Sequence, residues 1–325
     1  MKVIVTGAAG FIGFHVSNAL IARGDKVIGI DNVNDYYDIN LKQARLNILN
    51  AQDGFTFHKI DLANADAVNE IFDDTQADKV IHLAAQAGVR YSIKNPHAYI
   101  QSNIIGHLNI LEACRNSDSI QNCVYASSSS VYGMNEKQPF STEDKVDNPI
   151  SLYAATKKSD ELMSYCYAHL YGIPLTGLRF FTVYGAYGRP DMAYFSFTKD
   201  IIEGNPIKVF NHGEMKRDFT YIDDITAGVL GALDNSPVKD DKGVAHKIYN
   251  LGNNKSETLM DFIQAIESAI GIDAVKEFLP MQDGDVVETY ADIESSKSDL
   301  GYSPTTPISE GLPKFVKWYK DFYKV

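Results

Sequence analysis

The chain has 325 residues, a net charge of −12, three cysteines, and 45% hydrophobic and 22% charged residues. That length exceeds one usual domain and implies a large domain with an appended lobe or two domains. The acidic balance argues against a broad nucleic-acid or acidic-membrane surface, which would need clustered Lys and Arg. Cys114, Cys123 and Cys166 are scattered without a Cys-x-x-Cys pair, which argues against a disulfide framework or zinc knuckle and fits a reducing cytoplasm. The amino-terminal MKVIVTGAAGFIG has an apolar run too short and too broken by glycine for a signal peptide, and no apolar segment reaches about 18 residues, so a soluble, unprocessed chain is expected.

Through the first 180 residues, short runs rich in Val and Ile alternate with helical patterns. KVIVT (2–6), KVIGID (26–31), FTFHKID (55–61), KVIHLA (79–84), NCVYAS (122–127) and PLTGLRF (174–180) read as strands. FIGFHVSNALIARG (11–24) and NADAVNEIFDD (64–74) carry the apolar period of helices. Such alternation implies an α/β fold, a doubly wound parallel sheet covered on both faces, which explains why the strand runs are nearly all apolar. Beyond residue 182, GAYGRPDMAYF reads as loop, RDFTYID (217–223) as strand, and DITAGVLGALDN (224–235) as helix. SETLMDFIQAIESAIG reads as a helix capped by Ser256, and EGLPKFVKWYKDFY (310–323) as a final helix. No internal repeat or low-complexity linker occurs, so the second lobe is expected to pack directly on the first.

Gly7, Gly10 and Gly13 follow the first strand at three-residue spacing and open a helix. There, backbone N–H groups and the helix dipole can meet a pyrophosphate, and missing side chains let it approach. Asp31 closes the second strand 18 residues beyond Gly13, placed to accept hydrogen bonds from the adenosine ribose hydroxyls and to repel a 2′-phosphate. The pattern points to NAD rather than NADP on a Rossmann-type sheet; the bland alternative is helix-packing glycines with a surface acid. Asp61, at the end of the third predicted strand, is either a cofactor contact or a helix cap.

Tyr153 and Lys157, four residues apart in SLYAATKKSDELM, share one helix face. An ammonium beside a phenol favours the phenolate, which makes Tyr153 a candidate general base. On spacing alone such pairs are usually structural. With the glycine turn, however, YAATK resembles the Tyr-x-x-x-Lys signature of the short-chain dehydrogenase/reductase superfamily, in its extended branch of sugar-nucleotide epimerases and dehydratases. The resemblance takes in TGAAGFIG, HLAAQ (82–86), SSSSVYG, LRFFTVYG and RDFTYIDDI, spanning nearly the whole chain.

The resemblance implies an NAD-binding domain over 1–182, with a returning segment near 218–252. It implies a smaller mixed α/β lobe for a nucleotide sugar from 183–217 and 253–325. It assigns the cofactor Phe11 and Ile12 with the three glycines, Asn32 with Asp31, Leu62 with Asp61, and Leu83, Ala84 and Ala85 with Tyr153 and Lys157. Ser128, 25 residues before Tyr153, would hold the reacting sugar hydroxyl, with Ser127 as the fallback. Related 4,6-dehydratases carry Asp-Glu immediately before VYG, and related UDP-glucuronate decarboxylases a Glu directly before it; this chain has Ser129 and Ser130, which leaves epimerisation through a transient 4-keto sugar.

AGVRYSIKNP and TVYGAYGRPDMAYFSF resemble the UDP-glucuronic acid 4-epimerases more than the UDP-glucose 4-epimerases, which remain the alternative. Arg90 and Arg189 then become candidates to grip a sugar carboxylate or ring, because a guanidinium binds an anion through two hydrogen bonds. Arg217 matches a diphosphate-binding Arg and Phe210 a residue that packs on the uracil, while Ser129 and Thr182 complete the candidate substrate set. Two departures stand out: Thr182 replaces the Asn of many relatives, and Gln282 in MQDGDV replaces a second phosphate-binding Arg. The eight His residues show no metal spacing, so no metal is expected, and His82 is expected to be a packed residue. A homodimer through about 97–115 and 151–171 is implied by resemblance. Outside enzymes, the alternative is an NAD(H)-binding sensor on the same fold, against which the Tyr and Lys pair argues.

Overall fold

The structure is a computed structural model and describes residues 1–282 and 286–325. Six apolar runs form β1 (Lys2–Thr6), β2 (Lys26–Asp31), β3 (Phe55–Lys59), β4 (Lys79–His82), β5 (Asn122–Ser128) and β6 (Leu175–Phe180). They are followed by β7 (Thr182–Tyr184), β8 (Ile207–Val209), β9 (Lys216–Arg217), β10 (Phe219–Tyr221), β11 (His246–Leu251), β12 (Glu257–Thr258) and β13 (Lys276–Phe278). Seven strands make one parallel sheet in the order β11-β6-β5-β4-β1-β2-β3. The order reverses between β1 and β4, and the carboxyl ends of strands at such a switch point leave a crevice for ligands.

The apolar strand runs follow from burial on both faces. Along β1, Val3 and Val5 join one hydrophobic cluster and Ile4 the other. The edge strands depart from this: every position of β3 is exposed or half-buried, and the first half of β11 is only partly covered. Two predicted strands stop earlier than expected, at Lys59 and His82, because the chain there turns off the sheet into the crevice.

Helices α1 (Phe11–Ala22), α2 (Ile39–Asn50) and α3 (Ala65–Thr75) connect the first four strands. Between β4 and β5 come α4 (Val89–Lys94), α5 (Pro96–Tyr99), a π-helical turn over Ile100–Ile105 and α6 (Gly106–Asn116). The twenty-residue α7 (Leu152–Tyr171) precedes β6; the Ser151 hydroxyl accepts from Ala154 N at 3.1 Å, and Gly172 closes the helix in the left-handed conformation. The second half adds α8 (Ala193–Glu203), α9 (Ile222–Asp234), α10 (Leu259–Ile270), α11 (Glu294–Leu300) and α12 (Ile308–Tyr323).

The cap of α10 differs from the sequence expectation. Residues 257–258 are taken by β12, which pairs with β9, so the helix starts later and Thr258, not Ser256, accepts from Asp261 N at 3.0 Å. Ser256 instead donates to Glu288 Oε1 at 2.8 Å. The predicted strand RDFTYID divides into β9 and β10, and β10 pairs with β7. One hydrophobic cluster runs from β1 into the second half, where Phe219 stacks on Phe262 at 3.8 Å and Phe315 is fully buried. The two halves therefore share a core without a linker. No helix among the described residues is long and apolar enough to cross a membrane.

Candidate active site

A cleft with about 1410 Å³ of open space lies over the β1/β4 switch point. Its floor is the glycine turn: Gly7 has φ +72°, and a Cβ there would sit 2.8 Å from Ala84 N. A Cβ on Gly13 would lie 2.1 Å from Gly7 O, so the turn closes only because position 13 is bare. Gly10 precedes α1 without a side-chain cap, leaving that helix N-terminus to whatever anion the cleft admits. Gly7, Gly10, Phe11, Ile12 and Gly13 all line the cleft.

The second wall is acidic. Asp31 accepts from Ala9 N at 3.1 Å and Val33 N at 2.8 Å; burial raises its carboxyl above the ordinary range, opposed by those N–H groups and the Lys42 ammonium. Lys42 is itself tied to Asn34, through its carbonyl and its side-chain oxygen, each at 2.7 Å. Asn32 donates to Asp61 Oδ2 at 3.0 Å, and Ala63 N donates to Asp61 Oδ1, so Asp61 orients both its own turn and Asn32. Leu62 and, across the cleft, Leu83, Ala84 and Ala85 supply apolar walls. A side-chain-free floor at a helix N-terminus, with a carboxylate at the end of the second strand, fits an NAD dinucleotide.

Tyr153 and Lys157 project from α7 into this same cleft, together with Ser127 and Ser128 from the end of β5. The Tyr153 ring packs edge-on to Tyr99 at 6.0 Å. Lys157 is buried, and its Nζ donates to Ala126 O at 2.9 Å and to Asp160 Oδ2 at 3.0 Å. Burial pushes Asp160 up to about 6 despite the Lys157 ammonium beside it.

The neighbouring acid behaves oppositely. Burial acts to raise Glu161, but the Arg179 fork, bonding at 2.8 and 2.9 Å, and the Ser127 hydroxyl at 2.7 Å hold it below the ordinary carboxylate range. The four serines therefore have different surroundings. Ser127 donates to a buried acid, Ser128 faces the cleft while accepting from Ser130 N at 3.2 Å, and Ser129 and Ser130 begin a short 3₁₀ turn.

Arg189 and Met192 close the far side. Two edges of the Arg189 fork are held by Asp191, Nε to Oδ1 at 3.0 Å and Nη2 to Oδ2 at 2.5 Å, and Tyr36 donates to the same carboxylate at 3.1 Å. The loop before Arg189 is held from below by Arg45 of α2. This fully buried guanidinium donates to Tyr187 O, Gly188 O, the Tyr37 hydroxyl, and Ala9 O in the glycine turn.

The remaining sequence candidates lie apart from the cleft lining. Arg90, exposed on α4, has its guanidinium 5.5 Å over the ring of Phe210, so these two meet each other. Arg217 on β9 donates from Nη1 to Lys216 O at 2.9 Å and Val287 O at 3.0 Å. Thr182 donates its N–H to Asp218 O at 3.1 Å, while its neighbours Phe181 and Val183 line the cleft. Residues 283–285 of MQDGDV, next to Gln282, lie outside the described residues. His82 is packed: its Nδ1 shares a 2.7 Å hydrogen bond with the Thr6 hydroxyl, and burial, then Lys157, lowers it to about 3.

Sequence reasoning missed Asp160, Asp191, Tyr36 and Arg45. Asp160, three residues after Lys157, was findable, since that spacing puts it one turn along the same face. Asp191 is local too, two residues after Arg189, whereas Tyr36 and Arg45 meet the site through contacts between distant segments.

The family model that matches residues 3–252 describes the NAD dependent epimerase/dehydratase family. Protein CapI of Staphylococcus aureus is 51% identical over 335 residues, covering 100% of both chains. UDP-glucuronate 4-epimerase 1 of Arabidopsis thaliana is 48% identical over 99% of this chain and 77% of the plant protein. The crystal structure of UDP-glucuronic acid 4-epimerase from Bacillus cereus, in complex with UDP-glucuronic acid and NAD, superposes with a TM-score of 0.91 at 37% identity, covering 99% of this chain and 100% of that one. With the glycine turn, the acid after β2 and the Tyr153–Lys157 pair in one cleft, the chain belongs to the NAD dependent epimerase/dehydratase family.

Proposed function

We propose that this protein is a UDP-glucuronate 4-epimerase, interconverting UDP-glucuronate and UDP-galacturonate without net redox change. The observation that carries the reading is that Tyr153, Lys157 and Ser128 share one cleft with the glycine turn and Asp31, while Arg189 stands on its far wall. Similarity to the Arabidopsis and Bacillus enzymes, 48% and 37% identical over 99% of this chain, supports the choice of sugar acid. On this reading residues 1–182 and 218–252 hold the dinucleotide, and 183–217 and 253–325 hold the nucleotide sugar.

Gly7, Gly10, Phe11, Ile12 and Gly13 would hold the cofactor's pyrophosphate, Asp31 and Asn32 its ribose, and Asp61 and Leu62 its adenine. Leu83, Ala84 and Ala85 would flank its nicotinamide end. Bound there, NAD supplies a reversible hydride acceptor for carbon 4 of the sugar. Tyr153 takes and later returns the 4-hydroxyl proton, Lys157 favours its phenolate, and Ser128 holds the sugar oxygen within hydrogen-bond reach. Ser127 is the weaker candidate for that contact because its hydroxyl already donates to Glu161.

The 4-keto form of a glucuronate is a β-keto acid, prone to lose CO2. Arg189 grips the carboxylate away from the orientation that cleaves the carbon–carbon bond, and Ser129 and Ser130 bring no acid beside it. Thr182, Arg90, Phe210 and Arg217 are assigned to the sugar and nucleotide by resemblance; in this structure they lie beside rather than on the cleft wall. Exposed Leu108 on α6, and Leu162, Tyr165 and Leu170 on α7, support a homodimer through these two helices. A cytoplasmic setting fits the free cysteines.

The test is to incubate purified protein with UDP-glucuronate, without added cofactor, and follow products by NMR. UDP-galacturonate is the expected product. A pentose nucleotide with CO2 overturns the assignment, turnover of UDP-glucose alone selects the other epimerase, and a Tyr153→Phe protein as active as wild type overturns the catalytic reading.

A further inference from the structure

Lys157 lines the same cleft as Tyr153, but its ammonium is engaged by two other groups. Its ammonium is held between Ala126 O and Asp160 Oδ2, and Asp160 is itself fully buried with Oδ1 lacking any hydrogen-bond partner among the described residues. The adjacent Glu161 shows what a structural acid receives on this helix: a two-point bond from Arg179 and a third from Ser127. Asp160 has only the lysine. A buried carboxylate this poorly satisfied is costly, and a neutral side chain of the same size would avoid the cost.

We infer that Asp160 is a positioning residue that sets the net charge presented to the Tyr153 phenol. It cancels part of the Lys157 charge and fixes Nζ against β5. The inference rests on Tyr153 being the proton acceptor of the proposed reaction. Several other titratable groups pack around this pair. His82 at the end of β4 and His107 on α6 are kept neutral, chiefly by burial. Tyr125 on β5 is kept protonated, again chiefly by burial, and Glu161 is committed to Arg179. Asp160 is thus the carboxylate free to offset Lys157, and burial holds it at about 6, inside the working range of an enzyme. Below that pH a protonated Asp160 leaves the ammonium uncompensated and the phenolate favoured; above it the carboxylate opposes proton loss from the phenol.

The experiment compares wild type, Asp160→Asn and Asp160→Leu, with thermal melts to establish folding. Removing the acid is expected to move the acid limb of the kcat/KM profile with UDP-glucuronate to lower pH by about one unit, the size of one nearby charge. The tyrosinate absorbance of the NAD-loaded protein, measured against a Tyr153→Phe background, should shift equally. An unmoved limb and unmoved absorbance in both folded variants, where Tyr153→Phe abolishes turnover, overturn the inference while leaving the proposed function standing. If Tyr153→Phe retains full turnover, it is the proposed function that fails.

Discussion

The two sides of the cleft are built by different means. On the side proposed for the dinucleotide the cleft surface is backbone and strand ends: the glycine turn closes against itself, and Asp31 stands where β2 stops. On the side proposed for the sugar it is one long side chain, Arg189, held by Asp191 of its own loop, with the Tyr36 phenol and the buried Arg45 guanidinium bonding to that loop from elsewhere in the chain. The first design tolerates no added atoms. The second tolerates atoms but depends on a chain of side-chain hydrogen bonds, each of which can be loosened separately.

That contrast is tested first by the largest change. In Gly13→Ala the new methyl would lie 2.1 Å from Gly7 O, and since both are backbone-bound neither can step aside. The turn must open, at a cost of about 1–3 kcal/mol or more. Retained NAD in the purified protein should fall on the order of 100-fold, and the melting temperature should drop with it. Full cofactor content in this variant would show that the turn is not the cradle.

Arg189→Gln attacks the other side. On the proposed reading Arg189 pairs with the sugar carboxylate, and removing one partner of a buried charged pair costs about 2–5 kcal/mol, so kcat/KM for UDP-glucuronate should fall by roughly 30-fold or more. NAD content should stay at the wild-type level, because Arg189 holds no part of the glycine turn. Equal losses of both would erase the distinction between the two sides.

The same contrast explains what could be read from sequence. Glycine spacing, a strand-end acid and a Tyr–Lys pair one helical turn apart are local features, and all of them line the cleft. Most of the strands are legible because burial on both faces makes them short, largely apolar runs; β11 is harder to read, since the first half of HKIYNL is only partly covered at the sheet edge. Helix α2 went unread for a more instructive reason: its buried face carries Lys42 and Arg45, which break the apolar period. The residues that hid the helix are those that organise the site. Arg90, Phe210 and Arg217 do not line the cleft: the Arg90 guanidinium lies over the Phe210 ring and Arg217 bonds to Lys216 O and Val287 O, contacts that depend on how the second half packs.

Arg45 gives the finest test, because it bonds to both sides. Its guanidinium reaches Ala9 O in the glycine turn and Tyr187 O and Gly188 O in the Arg189 loop, and only a planar fork can address acceptors in those directions together. In Arg45→Lys the charge survives but one ammonium must choose between turn and loop. Loss of the loop contacts should lower kcat/KM for UDP-glucuronate by about 3–10-fold, with a smaller loss of NAD retention, corresponding to about one hydrogen bond. Trp318, the sole tryptophan, packs on Tyr187 at 4.9 Å, so its fluorescence reports whether the loop has moved. A shifted emission with reduced activity would mean the two sides are mechanically joined through Arg45; an unchanged emission with reduced stability alone would leave them independent.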